Sequence, residues 1–197
     1  MSILKNKTIS AVHRGAFNLT EAAIVGVLVL LAIIYYISSG NSQFSRADYT
    51  EEITNASDIM TNTRGLLKTA GSYQFSSTSD MTGALVKFGG VPGTIAVNGT
   101  KSSGSATLTN RWNGTITVGP VSSGSGSNTS FALTYTQVPM EACTQMAQKL
   151  SGANNVASTS INGSSTSGTV SASIASSQCA ADSGSTGTNT LVFTSNT

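Results

Sequence analysis

With 197 residues and a formal net charge of +2, the chain has room for one globular domain plus an extended helix, and not for two ordinary domains. Charged side chains make up 9% of it, against about 25% in ordinary soluble domains, which excludes a basic nucleic-acid surface and favours a neutral polar one. The single histidine, His13, precedes the main apolar run, so everything after it lacks an imidazole for a catalytic base or a zinc ligand.

Residues 1–16 are short, basic and free of acid, with Lys5, Lys7 and Arg14 able to hold them on the cytoplasmic side while the next segment inserts. That segment, Ala22–Ile37, is uncharged and apolar, and at about 1.5 Å per residue it covers roughly 24 Å, enough for a tilted or partly interfacial membrane helix. Glu21 stands at its mouth. A carboxylate inside a span costs roughly 2.5–3.5 kcal/mol at the bilayer centre and less near its edge, so Glu21 reads either as a helix-entry charge favoured by the helix dipole or as an assembly residue. The small-residue step Gly15-Ala16 lies ahead of the apolar run, whereas an ordinary secretory signal is cut after it.

After Ile37, the stretch Ser38 to Ser42 contains Gly40, which loosens or bends a helix. Helical periodicity then resumes: Tyr49, Ile53, Ala56, Met60, Thr63 and Leu67 recur at steps of three and four, with Arg46, Asp48, Glu51, Glu52 and Asp58 off that stripe and Gly71 as a stop. One continuous helix from Phe17 to Ala70 would reach about 80 Å, its first half apolar all round and its second half packed on a domain.

A short helix is expected over Ser79–Gly89. Strands follow at Thr107–Thr109, Thr115–Val118 and Phe131–Thr136, with Trp112-Asn113-Gly114-Thr115 as a tight hairpin turn. Pro139 opens and Gly152 closes a helix that sets Met140, Cys143, Met146, Ala147 and Leu150 on one face. Beyond Gly152 the chain is nearly all Ser, Thr, Gly, Asn and Ala, with a weak strand signal at Thr169–Ile174 and a clearer one at Thr190–Thr194. Cys143 and Cys179 are the only cysteines and both follow the apolar run; if exported, they bridge and close a loop worth roughly 4 kcal/mol in the chain-entropy model, whereas a cytoplasmic domain would keep two thiols. The expected fold class is α+β: a long N-terminal helix packed on an antiparallel sheet head with a disulfide-closed C-terminal region.

The stretch Arg14 to Glu21 resembles the processing site of type IV prepilins, which have a basic leader, a Gly cut site, an N-methylated aromatic or apolar first residue and a glutamate as the fifth. The resemblance implies cleavage by a prepilin peptidase between Ala16 and Phe17, methylation of Phe17 and an assembly role for Glu21. The chain departs from the pattern in having Ala16, rather than Gly15, before that cut; the register Gly15/Ala16 restores the glycine but makes Glu21 sixth. The Arg64 to Leu67 helix end, the Trp112-Asn113-Gly114 turn and the Val138 to Cys143 helix start are similar to type IVb pilins of conjugative thin pili and enteric adherence pili, which also close a C-terminal region with two cysteines.

What the resemblance implies is a division into leader 1–16, apolar helix 17–40, amphipathic half-helix 41–71 and head 72–197. It also implies storage in the inner membrane, handling by inner-membrane pilus assembly machinery, and polymerisation of identical subunits into an extracellular fibre for attachment or conjugation. It implies no cofactor, metal, nucleic acid or enzymatic activity, and no nucleophile elbow, Walker loop or Cys-x-x-Cys pair stands in the chain. A minor pilin or pseudopilin would share the same head, and a Sec-exported adhesin cut after Gly40 is the alternative of a different class.

Overall fold

The computed structural model describes residues 48–123 and 127–197, all within one unit of the chain spanning residues 44–197. Helix α1 covers residues 48–67 of the described chain. Its buried side chains, Tyr49, Glu52, Asn55, Ala56, Ile59, Met60, Thr63 and Leu67, recur at helical spacing. The stripe differs from the expected one: Glu52 is buried although the sequence placed it off the stripe, Asn55 and Ile59 join it, and Ile53 is only partly covered. The helix stops at 67, short of Gly71, because Ala70 and Gly71 both take positive φ in a turn closed by reciprocal backbone bonds between Thr69 and Ser72.

Helix α2, Thr78–Lys87, starts at Ser77, whose side-chain oxygen accepts from the Asp80 amide at 3.1 Å. Then come β1 (Ala96–Asn98), a 3-10 turn at Lys101–Ser103, β2 (Thr107–Thr109), β3 (Thr115–Ser123) and β4 (Ser127–Val138). Helix α3 (Met140–Ser151) follows, and β5 (Val156–Ile161), β6 (Ser164–Ser167), α4 (Ala172–Gln178) and β7 (Asn189–Ser195) complete the described chain. The seven strands form one sheet in the order β1-β2-β3-β4-β7-β5-β6, every neighbouring pair antiparallel.

Strand alternation sends Ile116, Val118, Phe131, Leu133, Tyr135, Leu191 and Phe193 inward, where they join the buried faces of α1 and α3 in one core. The intervening Thr117, Ala132, Thr134, Val192 and Thr194 stay half-buried on the other face. Tyr73 closes the core edge-on against Phe131, with ring centroids 5.3 Å apart. The expected α+β class, with a helix packed on an antiparallel sheet and a disulfide-closed C-terminal region, is the fold observed.

Helix α2 protects a sheet edge. Beyond the short β2 pairing, the outward backbone of Val118 would be left open, and the Thr82 hydroxyl fills the gap: it donates to the Val118 carbonyl at 3.1 Å and accepts from the Val118 amide at 2.9 Å. Two residues on, Pro120 has no amide to leave unpaired on that side. Helix α2 also lies close against the end of the 3-10 turn: a Cβ on Gly83 would sit 1.7 Å from the Gly104 carbonyl oxygen, so only glycine fits there.

Beyond Gly152 the strand expected at Thr190–Thr194 is β7, but the weaker signal needs correction. The weak strand signal at Thr169–Ile174 is instead the approach to and first turn of α4, because the Ser171 hydroxyl caps it by accepting from the Ile174 amide at 3.2 Å, and no β-branched run opposes the helix. The paired strands of this region, β5 and β6, are built from Ser and Thr around an Asn162-Gly163 turn with both residues at positive φ. Met140, expected on the buried face of α3 with Cys143, is 40% exposed.

Candidate functional site

Of the residues singled out in the sequence, Gly15, Ala16, Phe17 and Glu21 lie outside the described residues. The run Ala22–Ile37 lies outside them too; among the described residues no helix is long and apolar enough to cross a membrane. Cys143 and Cys179 are brought together as a disulfide with their Cα atoms 6.0 Å apart. Among the described residues no group of His, Cys, Asp and Glu is placed to hold a metal ion.

Two constructions give the head its form. The first fastens α1 to the β2–β3 turn. Asn110 shapes that turn: its side-chain oxygen accepts from the amides of Trp112 (3.0 Å) and Gly114 (2.8 Å), and its side-chain nitrogen donates to the Thr136 carbonyl at 2.8 Å. Asn113 takes positive φ, and a Cβ on Gly114 would meet the Thr136 carbonyl oxygen at 1.9 Å. The turn thereby presents Arg111 to the helix. Its guanidinium bonds Asp48 at 2.8 Å and also Glu51, while its backbone amide donates to Glu52 Oε1 at 2.9 Å.

Glu52 is the unusual member. It is 1% exposed, its Oε2 makes no hydrogen bond, and the Tyr135 hydroxyl, also buried, makes none either. Burial pushes the Glu52 carboxyl up from the ordinary range; the Arg111 amide opposes this most, followed by the nearby Asn55 side chain, the Arg111 charge and the Tyr135 phenol. Burial, then the neighbouring Glu52 charge, raises the Tyr135 phenol well above its usual value. Asn55 meanwhile accepts from the Thr94 hydroxyl at 2.7 Å, tying α1 to the segment before β1. Sequence reading missed this cluster, because spacing along α1 shows no partner for a buried carboxylate at Glu52.

The second construction holds the Ser/Thr-rich C-terminal region. The disulfide joins the buried face of α3 to the end of α4, and Asn189 at the start of β7 forms a polar hub beside it. Asn189 donates to the carbonyls of Val138 (3.0 Å) and Ala180 (2.9 Å) and accepts from the Ala180 amide (2.6 Å) and the Asn162 side chain (2.8 Å). Asn162 in turn donates to the Gln178 carbonyl at 2.9 Å and accepts from the Thr190 amide at 2.9 Å. The Asp182 carboxylate accepts from the Met140 amide at 2.8 Å and so caps α3. At the far end of β7, Arg64 of α1 donates to the Asn196 carbonyl at 2.8 Å, clasping the terminus to the helix.

This combination of an amphipathic helix, an antiparallel sheet and a disulfide-bonded tail has known counterparts. No curated protein sequence matches the chain. The family model described as PilS N terminal matches residues 46–196. A crystal structure of a type IVb pilin from Salmonella typhi is similar, with a TM-score of 0.65 and 42% identity over 73% of this chain and 97% of that one. An NMR structure of the type IVb pilin PilS from Salmonella typhi is similar with a TM-score of 0.51 and 40% identity, over 75% of this chain and 95% of that one. The chain belongs to the PilS family, and it is a type IVb pilin, a structural pilus subunit.

Proposed function

We propose that the chain is made as a prepilin with leader 1–16, is cut by a prepilin peptidase, waits in the inner membrane, and is polymerised by inner-membrane assembly machinery into an extracellular fibre. The observation that carries this reading is the pairing of a type IVb pilin head with a preceding sequence in which Glu21 stands at the mouth of the uncharged run Ala22–Ile37. The cut falls between Ala16 and Phe17, and the new Phe17 amine is N-methylated. An all-round apolar helix that leaves a bilayer must be covered, and identical helices bundled together cover one another without lipid. Residues 17–40 therefore serve as anchor and then as fibre core, residues 41–71 as the junction, and residues 72–197 as the head, with attachment to cells or surfaces as the fibre's role.

Within that core, the Phe17 amine pairs with Glu21 of its own or a neighbouring subunit, about one helical turn away along the axis. Buried ion pairs add little net stability over apolar substitutes, but leaving one member unpaired costs about 3–5 kcal/mol, so the pair serves to set axial register. Electron microscopy of cells expressing Glu21→Val, with immunoblots for cleaved subunit, tests this. The expected result is processed, membrane-held subunit without fibres, while Glu51→Gln retains them. Abundant normal fibres from Glu21→Val would return Glu21 to a helix-entry charge.

A further inference from the structure

Helix α2 carries a knob at one end and a hole at the other. At its C-terminal cap, where the Phe88 amide donates a hydrogen bond to the Ala84 carbonyl at 3.0 Å, the Phe88 side chain is 60% exposed. Leu66, 47% exposed, packs beside the Gly90 backbone two residues further on, so the apolar surface around the knob is broader than one ring. Phe88 and Leu66 are two of the three exposed large apolar side chains among the described residues; the third is Met140, on α3. A lone exposed phenylalanine is ordinary on a protein surface. Here, however, the same chain also offers a place for it.

That place is a surface notch of about 370 Å³ where β2 parts from β3 and the first turns of α2 wedge between them. Thr82, Ala106, Leu108, Ile116 and Thr117 line it mostly with carbon, and Asp80, whose carboxylate accepts from the Ser76 amide and hydroxyl at 3.4 Å, belongs to the same lining. An apolar cavity of roughly 150 Å³ suffices to bind benzene, so a benzyl side chain fits with room for its flanking backbone. Phe88 cannot fill the notch of its own chain: it follows Ser79, at the notch, by nine residues of helix, roughly 13 Å along the axis.

We propose that Phe88 of one subunit seats in the α2/β2/β3 notch of the next, an interface between successive heads that rests on the self-assembly proposed above. Knob and hole are different surfaces of one chain, so the contact is heterologous. Such a contact leaves a free knob at one end and a free hole at the other after every addition, and it propagates as an open helix unless the rotation closes a ring. A pilin fibre needs contacts of this kind. Burial of an aromatic anchor in a matching pocket is also the form in which interface energy concentrates.

Two sets of full-length variants test the contact in sheared fibres. Phe88→Cys with Thr107→Cys in one chain, co-expressed with the unaltered chain, should give covalent oligomers on a non-reducing gel, mapped to the two introduced positions, with neither single variant giving a ladder. Phe88→Asp, which would face Asp80 across the contact, should lower fibre yield by about tenfold or more at an unchanged level of cell-bound subunit. Adding Asp80→Lys should restore the yield. Normal fibres from Phe88→Asp, or double-cysteine fibres without a ladder, would overturn this interface while leaving self-assembly standing. An unaltered chain that makes no fibres would overturn both.

Discussion

At Arg111 one residue reaches three carboxylates of α1 in two different ways, and the two differ in worth. The guanidinium bonds to Asp48 and Glu51 are largely solvent-facing, where ion pairs contribute about 0–1 kcal/mol, so Arg111→Ala should change stability little through those bonds. The backbone amide bond to Glu52 survives that substitution and sits in the core. Among the described carboxylates, Glu52 is the one whose pKa burial raises. Burial raises its folded pKa above the ordinary 4.5, so the folded state keeps a proton that the unfolded chain has already lost. Its contribution to stability is therefore full below about pH 4.5 and is lost as pH rises through the raised folded value. In Glu52→Gln the amide keeps an acceptor for the Arg111 N–H and gains a donor toward the Tyr135 hydroxyl, without a charge to desolvate. Urea unfolding of the purified subunit at a series of pH values should show Glu52→Gln gaining on the wild type as pH rises from 4 to 8. A parallel pair of curves would mean that Glu52 is not the titrating group.

Residue-level legibility in the sequence was uneven for a physical reason. The stripe Tyr49, Ala56, Met60, Thr63 and Leu67 was readable because periodicity registers apolar side chains, and a buried glutamate between them counts against the pattern unless its partner is known. That partner is a backbone amide 59 positions away, which spacing along α1 cannot reveal.

Elements show the same division. Strands β2, β3, β4 and β7 and helices α2 and α3 carried β-branched alternation, a capping serine, or Pro and Gly at their ends, and each appears within a few residues of its expected place. Strands β5 and β6 and helix α4 did not announce themselves. Their sequence is Ser, Thr, Ala and Asn, and what organises them is the bond network of Asn162 and Asn189 together with the disulfide. Cys143→Ser or Cys179→Ser should each cost about 2–5 kcal/mol, with both variants behaving alike and both exposing the C-terminal region to protease. Asn189→Ala should lower stability by roughly 3 kcal/mol even with the disulfide intact, because it strips partners from the Val138 carbonyl and from the backbone of Ala180. Limited proteolysis and denaturant midpoints of the three variants would check both statements. An Asn189→Ala protein as stable as wild type would show that the disulfide alone holds the tail.

For the whole molecule, the head and the preceding segment were legible by different means. The Ser/Thr-rich composition and small charge gave no sign of a basic nucleic-acid surface and favoured an exported subunit, and the family match then fixed the head as a type IVb pilin. Docking between heads could not be read from the sequence, since Phe88 and the notch gain their relation only from the placement of α2 across the edge of β3. Within the described head, α1 is tied through Glu52 to Arg111 and through Arg64 to Asn196, so a pull along α1 reaches the β2–β3 turn and the end of β7 at two separated points.

N-terminal sequencing and intact-mass measurement of the subunit in sheared, electron-microscopically verified fibres bear most directly on the central claim. A single subunit species beginning at N-methylated Phe17, with Glu21 fifth, is the result predicted for a processed pilin whose apolar helix stays in the fibre. An exported, unpolymerised chain beginning at Asn41, its apolar run removed, would contradict it.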